Sequence, residues 1–163
     1  MKRIALISDT HGYLCERSKE LIGGCDEVWH AGDIGSVEVL DTLSQLKPLR
    51  AVHGNIDGGV VKLSAPALLR FEAEGLDVLM THIAGVPGKY EPSISRVLRT
   101  NPPKLLVCGH SHILKVMNDK HYKLLYMNPG ALGKQGFHTH RTMLIFEVDN
   151  GKCANLRVVE WER

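Results

Sequence analysis

No stretch of this 163-residue chain approaches the roughly 20 consecutive apolar residues of a membrane span. Its opening, Met-Lys-Arg-Ile-Ala-Leu-Ile-Ser-Asp, mimics a signal peptide only in outline. The apolar run stops at Asp9, well short of the roughly 7–15 residues of a signal core. The four cysteines, Cys15, Cys25, Cys108 and Cys153, are far apart and form no CxxC pair. That argues against a zinc knuckle or a disulfide framework and for free thiols in a reducing compartment. There is no Pro/Ser linker, charge block, low-complexity run or repeat, so one domain spanning 1–163 is expected. A formal net charge of +2, with both signs mixed along the chain, gives a nucleic-acid partner little support. These absences describe a soluble, cytoplasmic protein.

The first third of the chain repeats one pattern. Arg3–Ser8 is an apolar run ending in Asp-Thr-His-Gly, a buried strand delivered into a polar loop. A helix is predicted over Leu14–Ile22, closed by Gly23 and Gly24. Glu27–His30 is the next strand and ends in Ala-Gly-Asp. Val37–Leu46 has apolar residues at 37, 39, 40, 43 and 46, close to helical spacing, and Pro48 ends it. Leu49–His53 is a third strand, ending in Gly-Asn-Ile-Asp. Short connections between these elements imply parallel strands with right-handed crossovers.

Hairpins then replace crossovers. Leu68–Ala73 and Leu76–Thr81 flank Glu74-Gly75, and Pro92 opens a short helix over Ser93–Arg99. Leu105–Cys108 is another apolar strand, ending in Gly-His-Ser-His. Leu114–Asn118 pairs with Lys123–Met127, and Thr142–Val148 with Ala154–Trp161 around Asn150-Gly151. An α/β first half joined to an antiparallel second half predicts a four-layer αββα sandwich, two mixed sheets flanked by helices.

Polar residues of particular types terminate these strands. Asp9 and His11 follow the first, Asp33 the second, Asn55 the third, His82 the fifth, and His110 and His112 the Leu105–Cys108 strand. In such a sheet the C-terminal strand ends gather on one edge, where ligands bind. Two carboxylates, four imidazoles and one amide without a thiolate suit Mn²⁺ first, with Fe, Co, Ni or Zn as alternatives; all-oxygen Ca²⁺ or Mg²⁺ sites fit poorly. Seven donors are too many for one tetrahedral ion and about right for two divalent ions sharing a bridge. His30 and His53 read as strand histidines satisfied by hydrogen bonds, His121 as an exposed turn residue, and Asp57 as either a support of Asp33 or a loop cap.

In chain order, Ser-Asp-Thr-His (8–11), His-Ala-Gly-Asp (30–33), Gly-Asn-Ile-Asp (54–57), Thr-His (81–82), Gly-His-Ser-His (109–112) and Asn-Pro-Gly-Ala (128–131) cover nearly the whole chain. This series resembles the calcineurin-like metallophosphoesterases, specifically their small bacterial and archaeal phosphodiesterase branch. The resemblance implies the same αββα sandwich and divides the ligands. Asp9, His11, Asp33 and His112 would hold one ion, and Asp33 would bridge to a second completed by Asn55, His82 and His110. It further implies in-line attack on a phosphate ester by a hydroxide shared between the ions, with Asn55 also facing the phosphate.

The chain departs from better-known members at two positions. Ile56 stands where larger phosphoesterases often carry a histidine beside the leaving group, and Ala84 stands where many carry a second histidine after His82. Good leaving groups are therefore expected to react more readily than alkyl esters. His138 and His140, beyond the Asn-Pro-Gly-Ala turn, are candidates for substrate contact. Two other functions compete with a phosphodiesterase acting on a small phosphate ester. One is a protein-interaction scaffold, since the resemblance extends to a retromer subunit that keeps this fold without much of its metal site. The other is a nuclease of the same superfamily, against which the balanced charge and the lack of a capping domain count. Exposed sheet edges leave room for a homo-oligomer.

Overall fold

The structure, a computed structural model, describes residues 1–163. The first half runs β1 (Lys2–Ile7), α1 (Glu16–Gly23), β2 (Glu27–His30), α2 (Val37–Leu46), β3 (Leu49–Ala51) and α3 (Gly59–Ser64). Then follow β4 (Leu68–Ala73), β5 (Leu76–Thr81), β6 (Gly85–Val86), β7 (Lys89–Tyr90), α4 (Pro92–Thr100) and β8 (Leu105–Val107). The chain closes with β9 (Leu114–Asp119), β10 (Leu124–Pro129), β11 (His140–Asp149) and β12 (Lys152–Glu162).

One five-stranded sheet has the order β12-β11-β1-β2-β3 and the other β4-β5-β8-β10-β9. Both are mixed. β1, β2 and β3 pair in parallel, while β11 runs antiparallel to β1. In the second sheet β5, β8 and β10 are parallel, with β4 and β9 as antiparallel edges.

Alternation along the central strands builds the layers. On β1, Ile4 and Leu6 enter a core between the sheets together with Trp29, Val78, Met80, Val107 and Phe146. Ala5 and Ile7 face the other way and pack with Ile22, Val39, Leu40 and Leu43, from α1 and α2. On the second sheet Leu79, Leu106 and Tyr126 turn outward onto Ile94 and Leu98 of α4. The central strands are thus apolar on both faces, as parallel strands covered by helices must be. Trp29 fixes the middle of the inter-sheet core, edge-on to Phe71 at 5.0 Å and Phe146 at 5.7 Å. Burying a side chain of this kind contributes on the order of 2–3 kcal/mol. This is the αββα sandwich expected from the sequence. No helix is long and apolar enough to cross a membrane.

Local differences have local causes. β3 stops at Ala51 rather than His53, because the His53 N–H bonds the Pro66 carbonyl (3.0 Å) and its Nδ1 lies 2.8 Å from the Ala65 carbonyl. The short helix α3 and the two-residue strands β6 and β7 carry no periodicity long enough to be read from sequence.

Candidate metal centre

The loops after β1, β2, β5 and β8 are stitched together by backbone. The Asp9 N–H donates to the Gly32 carbonyl (2.9 Å), His11 N–H to Asp33 (3.0 Å), and Gly109 N–H to His82 (3.0 Å). These bonds fix where each side chain starts. Nine non-glycine residues have positive φ, and five belong to the predicted ligand set: Asp9 (53°), His11 (46°), Asp33 (54°), His110 (73°) and His112 (63°). Left-handed backbone costs such residues on the order of 1–2 kcal/mol each, and strain of this kind clusters where geometry serves function. A contrast between two variants isolates the strain. His110→Gly and His110→Ala both remove the imidazole, but glycine is free in this conformation. His110→Gly is expected to be more stable than His110→Ala by about 1 kcal/mol in urea denaturation. Equal stabilities would mean that the backbone at 110 carries no strain.

The side chains form two groups, Asp9 with His11 and His112, and Asp33 with His82 and His110. Within each group the donor atoms lie within 4.8 Å of one another. The imidazoles pair the same way, His11 edge-on to His112 at 5.5 Å and His82 edge-on to His110 at 5.3 Å. Asp33 lies between the groups, its Oδ2 3.2 Å from His82 Nε2 and 3.7 Å from His11 Nε2. Asn55, exposed beside them, meets His110 Nδ1 through its Oδ1 at 3.0 Å.

Each carboxylate divides its oxygens. Asp9 Oδ2 accepts from the Ser8 hydroxyl (2.6 Å) and the His110 N–H (3.1 Å), and Asp33 Oδ1 accepts from the Ile56 N–H (3.1 Å). Asp9 Oδ1 and Asp33 Oδ2 turn to the centre. There, Asp9 Oδ1, His11 Nε2 and His82 Nε2 are buried without a hydrogen-bond partner, and each nitrogen lies 3.8 Å from that oxygen. Buried polar atoms are otherwise satisfied almost everywhere in proteins, so three converging exceptions call for something that binds them all. His82 shows what kind of group. Its Nδ1 donates to the Ala31 carbonyl at 2.8 Å, which leaves Nε2 a bare lone pair aimed at carboxylate oxygens in the neutral ring. Two lone pairs at this range repel unless a cation lies between them. A proton or a metal ion satisfies the arrangement, and the donor set suits a borderline divalent metal.

Protonation behaviour agrees. Burial alone would push the Asp9 carboxyl up, but the His11 and His112 imidazoles, with His82 and the Ser8 hydroxyl, hold it far below the usual carboxylate range. Asp33, also buried, is held down chiefly by His82 and the Ile56 N–H. Conversely, Asp9 raises His11, and Asp33 and Asp9 raise His82 against the effect of its burial. Both shifts favour the charged imidazoles, and a bound cation would compete with those protons for the same lone pairs.

Close approach explains one glycine. A Cβ on Gly54 would overlap the Asp33 carboxylate and backbone. Supporting polar groups surround the centre. Buried Asp57 accepts from the Ile34 (3.0 Å), Gly35 (2.9 Å) and Gly54 (2.9 Å) N–H groups, so it clamps the Asp33 loop to the Asn55 loop. His30 Nδ1 accepts from Gly32 N–H (3.1 Å), so its Nε2 donates to the Thr10 hydroxyl (2.9 Å), which donates to the Ile34 carbonyl (2.8 Å). Burial pushes the His30 imidazole down to about 4, which keeps it neutral. Asn128, within the Asn-Pro-Gly-Ala motif, donates to the Gly109 carbonyl (3.0 Å) and steadies the loop carrying His110 and His112.

The two C-terminal histidines part company. His140 opens β11, exposed, with its Nε2 3.9 Å from Glu160. His138 instead lies against His112, Nδ1 to Nδ1 at 3.3 Å, with its Nε2 2.8 Å from the Gly133 carbonyl. Both of its ring nitrogens thus have partners within the protein.

A family model described as the calcineurin-like phosphoesterase superfamily domain matches residues 1–151. A probable metallophosphoesterase of Methanothermobacter thermautotrophicus is 26% identical over 137 residues, covering 78% of this chain and 76% of that one. Another, from Methanocaldococcus jannaschii, is 29% identical over 136 residues, covering 78% and 67%. Among solved structures, one described as a novel archaeal phosphodiesterase superposes with a TM-score of 0.78 at 22% identity, covering 98% of this chain and 99% of that one. Zinc-complexed Vps29 of Entamoeba histolytica superposes with a TM-score of 0.75 at 13% identity, covering 98% of each chain. At such identities the superpositions establish the fold.

Proposed function

The chain belongs to the calcineurin-like phosphoesterase superfamily, and on that premise we propose that it is a two-metal phosphodiesterase. Asp9, His11, Asp33 and His112 hold one ion, while Asp33, Asn55, His82 and His110 hold the other, with Mn²⁺ the first candidate and Fe, Co, Ni or Zn the others. The observation that carries this reading is the convergence of three buried, partnerless atoms, Asp9 Oδ1, His11 Nε2 and His82 Nε2. When bound, such a pair of ions lowers the pKa of a nucleophilic water and offsets charge on the phosphoryl oxygens.

The chain's own residues define what the ester must supply. Beside the second group lies a cleft of about 210 Å³, lined by His53, Gly54, Asn55, Ala67, Thr81, His82 and Ile83. No lysine, arginine or carboxylate lines it. Ile56, 49% exposed, stands next to Asn55 and transfers no proton. A missing general acid forfeits roughly 10²–10⁴-fold, most for poor leaving groups. With Mn²⁺ added, bis(p-nitrophenyl) phosphate is therefore expected to be hydrolysed faster than p-nitrophenyl phosphate, and aryl diesters at least about 10²-fold faster than alkyl diesters. Metal-loaded, folded protein that hydrolyses nothing in a broad panel of phosphate esters would refute the activity.

The likeness to Vps29 favours a second reading, a scaffold whose metal-bearing face docks a protein. Exposed Ile83 and Ile113, next to His82 and His112, give that face some apolar surface. Under this reading, partner binding would survive Asp33→Ala and no ester would be turned over.

A further inference from the structure

We infer that His138 is a positioning residue that sets the tautomer of His112 and so presents its Nε2 unprotonated to the first metal ion. The inference rests on the metal-centre reading above.

A backbone carbonyl can only accept, so the 2.8 Å contact between the Gly133 oxygen and His138 Nε2 places a proton on that nitrogen. In the neutral imidazole, a proton on Nε2 leaves Nδ1 bare. That Nδ1 lies 3.3 Å from His112 Nδ1, where one of the two nitrogens must donate. The proton therefore sits on His112 Nδ1, and His112 Nε2 is left as a lone pair 3.1 Å from Asp9 Oδ1. The rings meet edge-on, with centroids 5.1 Å apart and planes at 82°.

His82 gives an internal comparison. In the other group, its Nδ1 donates directly to the Ala31 carbonyl at 2.8 Å. Both imidazoles are thus fixed by an acceptor behind Nδ1, a carbonyl for one and an imidazole backed by a carbonyl for the other. Gly133 is itself anchored, its N–H on the Asp9 carbonyl at 3.0 Å. The relay therefore closes a ring from the Asp9 backbone through Gly133, His138 and His112 to the Asp9 carboxylate. Gly136 makes room for it. At φ 135° it occupies a conformation that side-chain-bearing residues rarely adopt, and a Cβ there would strike His112 Nδ1 and sit 3.0 Å from His138 Nδ1.

An outer partner of a metal-ligating histidine fixes the tautomer and ring orientation, and losing it costs roughly 10–100-fold in metal affinity. The test combines Mn²⁺ titration with ¹⁵N NMR of the histidine rings in protein loaded with diamagnetic Zn²⁺, because without a cation the His112 Nε2 facing the Asp9 carboxylate would itself take up a proton. In the wild type, His112 is expected to carry its proton on Nδ1, shielded from exchange with water. His138→Ala should expose that proton to exchange and weaken one of the two ions roughly 10–100-fold. His138→Asn, whose Oδ1 can accept in place of Nδ1, should restore most of both, and His140→Ala should change neither. A wild-type His112 protonated at Nε2 overturns the inference, whether or not the variants fold. So does a His138→Ala protein with unaltered affinity and proton exchange, or an asparagine variant no better than alanine. A wild-type protein that binds no divalent ion at all refutes the metal centre instead, and the wild-type Mn²⁺ titration distinguishes that failure from this one.

Discussion

Asp33→Asn is expected to lower phosphodiester turnover by at least about 10³-fold while leaving the fold intact. The expectation follows from the place of this carboxylate. Oδ1 is engaged with the Ile56 N–H, and Oδ2 reaches toward His82 at 3.2 Å and His11 at 3.7 Å, one from each group. Asp9 Oδ1 also faces both groups, but it lies 3.1 Å from His112 Nε2 in its own group and 3.8 Å from His82 Nε2 in the other. Asparagine keeps the shape and can keep the Ile56 bond, but it removes the negative charge that two divalent ions would share. Metal-held water and charge compensation are worth several kcal/mol in the transition state, and about 4 kcal/mol is a factor of 10³. Measuring kcat/KM together with metal content and Tm separates this from unfolding. A variant with both ions and near wild-type turnover would exclude Asp33 as the bridge.

The second large effect concerns stability. Asp57→Ala is expected to destabilise the protein by about 3 kcal/mol or more, although Asp57 touches no predicted ligand side chain. Its carboxylate accepts three backbone N–H groups, from Ile34, Gly35 and Gly54, in a largely buried position. Each buried donor left without an acceptor costs roughly 1–3 kcal/mol. Against a typical total of about 5–15 kcal/mol, that is a substantial fraction of the whole. The same loss frees the Asp33 loop from the Asn55 loop, so metal affinity should fall as well. Urea denaturation reads the first effect, and a change below about 1 kcal/mol would mean that water replaces the carboxylate there.

Much of the molecule was legible in the residue order because the signals are local and repeated. β2, α2, β4 and β5 have the predicted boundaries. Their apolar runs are bounded by glycine, proline or polar turns that leave little choice. The strand-end rule then placed Asp9, His11, Asp33, His82, His110 and His112 together, and the structure brings their donor atoms within reach of one another. The parts that were not legible depend on contacts between distant segments. Helix α3 spans six residues, too few for a period to emerge. The β6–β7 pair has two residues per strand, and the Gly85 carbonyl accepts from the Tyr126 hydroxyl far along the chain. In sequence Asp57 reads equally as a support for Asp33 or a loop cap; in the fold its carboxylate ties the Asp33 loop to the Asn55 loop. His138 and His140 look equivalent in sequence, two positions apart. The start of β11 turns His140 outward, whereas the loop before it returns His138 to His112.

Left-handed backbone at five of the seven predicted ligands was not readable at all. Aspartate and histidine tolerate that conformation better than most residues, but neither prefers it unless the loop holds it there. The neighbouring glycines were the only hint. The fold thus strains its loops to aim imidazoles and carboxylates inward, and a bound cation would offset both the strain and the unsatisfied lone pairs.

That claim is tested most directly by counting ions. The protein should be stripped with a chelator, dialysed to equilibrium against increasing Mn²⁺, and assayed at each point for bound metal and for hydrolysis of bis(p-nitrophenyl) phosphate. Two ions per chain at saturation, with turnover appearing as the second binds, is the predicted result. Saturation at one ion or none, or turnover that persists in the stripped protein, would contradict a two-metal phosphodiesterase.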